Sequence, residues 1–137
     1  MRYFSLEKYK NPLLFAARIL LMLLFVIFGW QKLVGFGNAA GYMAAEHLPF
    51  PTITAAIVVM IEFGLGLLLV IGFYTRPIAL FMMVYTLLTA LIGHHYWNES
   101  GMQAYGDMIN FYKNISIMGG LLLLALTGPG KYSLDQK

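Results

Sequence analysis

Residues 52–73 read TITAAIVVMIEFGLGLLLVIGF, and this stretch decides the fold. A helix crosses a bilayer with about 20 mostly apolar residues, and this run has that length. It holds a single charged side chain, Glu62, close to its middle. Working outward, three further stretches have the same character. Residues 13–34 are interrupted by Arg18, Gln31 and Lys32, residues 78–96 carry only His94 and His95, and residues 108–127 hold Lys113 and Asn114 in their first part. The residues between them are turn formers. Asn11-Pro12 suits the start of a helix, because proline is tolerated in a first turn. Gly35, Gly37, Gly41, Pro49 and Pro51 mark the first connection and Thr75-Arg76-Pro77 a very short second one. Asn98 to Asp107 is a polar third connection, and Gly128-Pro129-Gly130 stops the last helix. The expected fold is all-α: an integral membrane four-helix bundle forming a single domain over residues 1–137.

The whole chain agrees with that reading. It is 60% hydrophobic and 11% charged, whereas soluble domains are about 45–50% apolar and about 25% charged. A small soluble domain has too much surface to hide so many apolar side chains, and the composition equally excludes disorder. The net charge of +3 is scattered, so no basic stripe could follow a nucleic-acid backbone. There is no cysteine, which excludes disulfides, thiolate metal sites and thiol redox chemistry. The first span is too long for a cleavable signal peptide and no small-x-small site follows it. The lipid bilayer is the expected partner, with a membrane protein or a second copy of the chain as further candidates.

Loop lysines and arginines set orientation. Arg2, Lys8, Lys10, Arg76, Lys131 and Lys137 gather on one side, against Lys32 and Lys113 on the other, so both termini are predicted cytoplasmic. Trp30, Tyr42, Tyr96, Trp97, Tyr105 and Tyr112 would form an outer aromatic belt, and Tyr3, Phe4, Tyr9, Tyr74 and Tyr132 an inner one.

Charged groups inside a bilayer are costly and persist where they pair, face a bundle interior or do chemistry. Glu62 is too deep to reach water along its own side chain, so it must be protonated, paired or in a wet cavity. Arg18 lies roughly 6–9 Å from the helix start at 1.5 Å per residue; it can snorkel to the headgroups, or turn inward to Glu62 or a loop carbonyl. His94 and His95, as helix neighbours, would point about 100° apart and lack the i, i+4 spacing of a metal pair, so no metal site is assigned. Near an exterior pocket His94 is a natural proton donor or acceptor at neutral pH. Gln31, Lys32, Lys113 and Asn114 fall at the same end of their spans, and together with Glu62 they would ring the outer half of a closed bundle. That arrangement suits a ligand with polar ends and an apolar body, such as a quinone. Gly64, Gly66, Gly119, Gly120 and Ser116 are the small residues that let spans approach closely.

The segments Phe28-Gly29-Trp30-Gln31-Lys32-Leu33, Pro49-Phe50-Pro51, Glu62-Phe63-Gly64, Gly72-Phe73-Tyr74-Thr75-Arg76-Pro77, Gly93-His94-His95-Tyr96-Trp97, Asn110-Phe111-Tyr112-Lys113-Asn114 and Leu126-Thr127-Gly128-Pro129-Gly130 occur in a characteristic order. In them the chain resembles the DoxX family of small four-helix bacterial membrane proteins, over essentially its whole length. The resemblance implies a multi-pass protein of the bacterial inner membrane. It also implies a neighbourhood of quinol oxidases, thiosulfate oxidation and quinone detoxification. No haem, flavin, iron–sulfur or metal motif accompanies it, so electron transfer would need a bound quinone or a partner carrying the redox centre.

Three functions follow as expectations. The first is a quinone- or quinol-interacting oxidoreductase component, with Glu62 and His94 as catalytic candidates and Arg18, Gln31, Lys32, His95, Lys113 and Asn114 as ligand-binding ones. The second is a non-catalytic membrane subunit or assembly factor. The third is a small-solute or lipid-binding carrier.

Overall fold

The computed structural model describes residues 4–135; Arg2, Tyr3 and Lys137, counted above for orientation and the inner belt, lie outside the described residues. The elements are α1 (Lys10–Val34), α2 (Phe36–Ala45), α3 (Pro51–Ile71), α4 (Thr75–Gly93) and α5 (Gly101–Thr127), with 3-10 turns at Glu7–Tyr9 and Tyr96–Asn98. The described residues contain no strand, and α1, α3, α4 and α5 are long and apolar enough to cross a membrane. Lipid-facing side chains are large and bare: Leu20, Met60 and Leu123 are 71%, 69% and 63% exposed. A water-soluble bundle would bury such groups.

Three boundaries differ from the sequence reading. The first connection contains α2, because Ala39 and Met43, four apart on one helical face, bury themselves against Ala55. Its glycines, poor helix formers, disguise that face. Next, α4 begins at Thr75, and the chain reverses through Gly72 and Tyr74, both with positive φ (73° and 47°). Pro77 lies in the first turn of α4, where no helical partner for its missing N–H is needed. Finally, α5 begins at Gly101, seven residues before the apolar window. Its first two turns are polar without ceasing to be helical. Hydropathy locates the membrane crossing, and here the helix outruns it.

Helices α4 and α5 pair most extensively, α1 packs along α3, and Met22, Leu69, Met82 and Leu121 are fully buried between them. Gly66 seats against Val26, and Gly120 against Leu21. By contrast, a Cβ on Gly64 or Gly119 would meet open space, and Ser116 is exposed.

The bundle has two ends. At the terminal end, the Lys131 N–H donates to Asn11 Oδ1 (3.0 Å), so both ends of the described chain meet there, as an even number of spans requires. The tail after α5 folds across this end. Leu134 N–H reaches the Ile71 carbonyl (3.1 Å) and Asp135 N–H that of Gly72 (2.9 Å). The Asp135 carboxylate accepts from the Tyr74 and Thr75 N–H groups, both at 2.7 Å, and so caps α4 from the far end of the sequence. Burial pushes the Asp135 carboxyl up. The hydrogen bonds from Thr75 and Tyr74 and the Arg18 charge outweigh that and hold it below the usual carboxylate range. Arg76 Nη1 donates to the Ala125 and Leu126 carbonyls (2.8 Å each), which closes the last turn of α5.

Candidate functional site

The loop end is where the polar side chains converge. Glu62 lies in a π-helical turn of α3, Met60–Leu65. Such turns carry one more residue than the α-helix around them and often mark functional positions. Gly29 brings α1 against this turn, for a Cβ there would stand 2.6 Å from the Phe63 nitrogen. Trp30 packs beside it, its ring centroid 5.7 Å from that of Phe63. Lys32, three residues beyond Gly29 and on the same face, thereby comes level with Glu62. Its Nζ lies 2.5 Å from Glu62 Oε2, and the Tyr85 hydroxyl donates to Oε1 at 2.8 Å. Glu62 is 8% exposed. It is paired, one of the alternatives its depth allowed.

A second polar tier lies beside it on α4 and α5. Asn114 Nδ2 donates to Thr89 Oγ1 (3.2 Å), which donates to the Thr86 carbonyl (2.9 Å). Lys113 Nζ donates to Asn110 Oδ1 (3.1 Å), and Lys113 stands about two turns from Gly120, on the face of α5 that meets α1 at Leu21. Lys32 also lines a recess of about 290 Å³ in the crook of α1 and α2, walled by Phe28, Gln31, Asn38, Tyr42 and Met43. It is thus the residue that joins the recess to Glu62.

The mouth of this end is made of histidine–carboxylate pairs. Helix α4 stops at Gly93, so His94 and His95 leave it before diverging. His94 Nδ1 meets Asp107 Oδ1 at 3.0 Å. His95 Nε2 meets Glu46 Oε2 at 2.9 Å, with Glu99 Oε1 3.9 Å from its Nδ1. These pairs tie the end of α2 and the start of α5 to the end of α4. Burial pushes the Glu99 carboxyl up, and the neighbouring Asp107 pushes it further. The Tyr42 hydroxyl donates to the Gly93 carbonyl (3.3 Å). Burial, with Glu46, Asp107 and Glu99 adding to it, pushes that phenol up to about 12, so it remains a donor at physiological pH. No three His, Asp or Glu side chains among the described residues converge in a way that could hold a metal ion.

Of the residues singled out from the sequence, Lys32, Glu62, Lys113 and Asn114 gather in one neighbourhood, Gln31 lines the adjoining recess, and His94 and His95 form the mouth. Arg18 stands apart. It is fully buried at the terminal end, where Nη2 donates to the Tyr132 carbonyl. Its Cα is 14 residues from that of Lys32, about 21 Å along α1 at 1.5 Å per residue, so the partner of Glu62 is Lys32 and not Arg18. Tyr85, Thr89, Asn110, Asp107 and Glu46 were not among the site candidates of the sequence reading. A signal existed for the first two: Tyr85 and Thr89 are four apart on one face of a span whose middle is otherwise apolar but for Thr86.

A family model described as DoxX matches residues 13–95. Inner membrane protein YphA of Escherichia coli (strain K12) is 47% identical, over 100% of this chain and 98% of that protein. Inner membrane protein YqjF of the same organism is 40% identical, over 96% of this chain and 95% of its own length. No solved structure gives a significant match.

Proposed function

Since the chain belongs to the DoxX family and is a multi-pass inner-membrane protein, we propose that it is the quinone- or quinol-binding component of a membrane oxidoreductase, with its loop end facing the cell exterior and both termini cytoplasmic. The quinone head occupies the recess beside Lys32, and its isoprenoid body lies along Phe28 and Met43 and out into lipid. Glu62 exchanges a proton with the ligand, and Tyr85 and Lys32 hold the carboxylate in place between exchanges. Lys113 donates to a ring oxygen. His94, with Asp107 behind it, passes protons between the recess and the exterior. Reduction to the quinol takes two electrons and two protons; the electrons come from a partner protein with its own redox centre. The observation carrying this reading is a carboxylate deep in the bundle, held by two proton-bearing side chains, one of which lines a recess.

Protein purified in mild detergent should retain extractable quinone, and the amount should fall in Glu62→Gln and His94→Ala variants. Unchanged retention in both would sink the residue assignment.

A second reading, a non-catalytic subunit that docks another span, is favoured by the open space beside Gly64 and Gly119 on the outward faces of α3 and α5. It predicts that Gly119→Leu abolishes recovery of a partner while leaving quinone content unchanged.

A further inference from the structure

We propose that α2 is a lid on the loop-end recess, shut by a clasp in which a protonated His95 ties Glu46, at the end of α2, to Glu99, just before α5, and opened by the loss of that proton. This concerns access to the recess and holds whatever ligand the recess takes. Helix α2 supplies one wall of the recess through Asn38, Ala39, Tyr42 and Met43. Its apolar seat is small: Ala39 and Met43 are its buried residues, and they rest against Ala55. Its side-chain hydrogen bonds to other elements, among the described residues, both run to the end of α4. The Tyr42 hydroxyl reaches the Gly93 carbonyl at 3.3 Å, and Glu46 Oε2 meets His95 Nε2 at 2.9 Å. The loop after α2 holds His47 and Phe50 at positive φ (58° and 46°), conformations that persist only while the surroundings impose them. The clasp itself is a matter of proton count. Nε2 of His95 faces Glu46, and Nδ1, buried without a hydrogen bond, faces Glu99 Oε1 at 3.9 Å. A neutral imidazole carries one N–H. With that proton on Nε2 a lone pair faces Glu99, and with it on Nδ1 a lone pair faces Glu46. The imidazolium presents an N–H to each carboxylate and a charge to both. Around the clasp, Gln103 donates to Glu99 (3.1 Å), Asp107 is paired with His94 (3.0 Å), and Tyr42 stands one turn before Glu46. The His94–Asp107 pair joins α4 to α5 and leaves α2 untouched. Glu99 titrates as well, since burial and Asp107 push its carboxyl up. The clasp is therefore tightest in the window where Glu99 has lost its proton and His95 keeps one, and it loosens as the pH rises out of that window.

The test uses the absence of cysteine from the chain. Ala39→Cys places a single thiol on the buried, recess-facing side of α2, and Met43→Cys is a second reporter should the first destabilise the protein. The rate of maleimide labelling of the full chain in a neutral maltoside detergent reads how often α2 lifts. Rates are taken relative to Ala45→Cys, exposed on the same helix, so that the thiol's own titration cancels. The relative rate should rise about tenfold between about pH 6 and about pH 9, as a charge-assisted hydrogen bond is lost. His95→Gln keeps a donor for Glu46 but cannot titrate, and should flatten the response. Glu46→Gln should label fast throughout. Glu99→Gln removes one of the two charges that hold the proton and should move the midpoint down by about one pH unit. His47→Gln and His94→Gln should leave the response in place. A flat response in the parent, a response that survives His95→Gln, or its loss in His47→Gln or His94→Gln with His95→Gln unaffected overturns the inference. Quinone plays no part in the readout, so the quinone reading stands or falls separately.

Discussion

The two ends of the bundle meet the same difficulty, a charge below the membrane surface, and resolve it differently. At the terminal end Arg18 is sealed. The tail lies over it, the Tyr132 carbonyl accepts from it, Asp135 supplies the countercharge and Gly72 leaves room for its guanidinium. At the loop end the charges are held by other side chains, beside a recess, and Lys32 remains 31% exposed. Backbone carbonyls and helix caps cannot give up protons or move far. Side chains on three different helices can do both. The difference separates a charge that fastens the fold from charges arranged to meet something.

That contrast can be broken by mutation. The largest effect is expected at the sealed end. Arg18→Ala removes the cation around which the tail is built and should cost about 3–5 kcal/mol, read as a collapse of thermal stability in detergent and new protease cleavage after Thr127. Next comes Lys32→Met, which leaves Glu62 with Tyr85 alone. Because Lys32 is partly exposed, the expected loss is about 2–3 kcal/mol. Adding Glu62→Gln should recover most of it, so a double-mutant cycle in thermal unfolding measures the pair. If Lys32→Met proves more damaging than Arg18→Ala, the assignment of fastening to the terminal end is wrong.

Smaller effects sharpen the comparison. Asp135→Asn weakens the cap on α4 and should cost about 1 kcal/mol. Because the folded carboxyl sits below its unfolded value, its contribution is complete above about pH 4 and fades as the pH falls through the lower folded value. The variant should therefore show a shallower loss of stability on acidification than the parent. Tyr85→Phe deletes one hydrogen bond to Glu62 and should cost about 1 kcal/mol or less. Its quinone retention should fall by more than its melting temperature suggests, whereas at Asp135 stability should move and retention should not.

The sequence carried depth well and azimuth poorly. Glu62 stands out in residues 52–73 because a carboxylate amid apolar neighbours has no innocuous explanation. Its partners could not be named, since Lys32 lies 30 residues before it and Tyr85 23 after, and which helix faces which is a property of packing. Arg18 shows the same limit. Its position allowed snorkelling and burial alike, and the structure buries it; its acceptor is a backbone carbonyl, and such an acceptor leaves no mark on residue identity. The four spans were legible because hydropathy over 20 residues is a strong signal. The helix α2 was not, because Gly37 and Gly41 inside it, with Gly35 just before it, outweigh one Ala–Met pair in any local reading. The turns of α5 before Asp107 were missed for another reason, being helical and polar at once.

The π turn in α3 has a consequence for the molecule's phase. Before it, Ala55 and Val59 face inward, and after it Gly66 and Leu69 do. One residue turns a helix by about 100° and advances it by about 1.5 Å, and the wide turn takes up its extra residue without passing that step on. Deleting one residue from Met60–Leu65 would therefore let α3 close as an ordinary α-helix with Ala55, Val59, Gly66 and Leu69 still in their seats, and the change would fall on Glu62 and its hold on Lys32 and Tyr85. Keeping every residue while the turn tightened would instead put the halves out of step: with the first half seated, Leu69 would rotate out of the core and Gly72 would leave Arg18. The π turn is thus the slack link in a keyed shaft, storing the surplus residue where Glu62 stands so that the sealed end and the open end keep their relative angle.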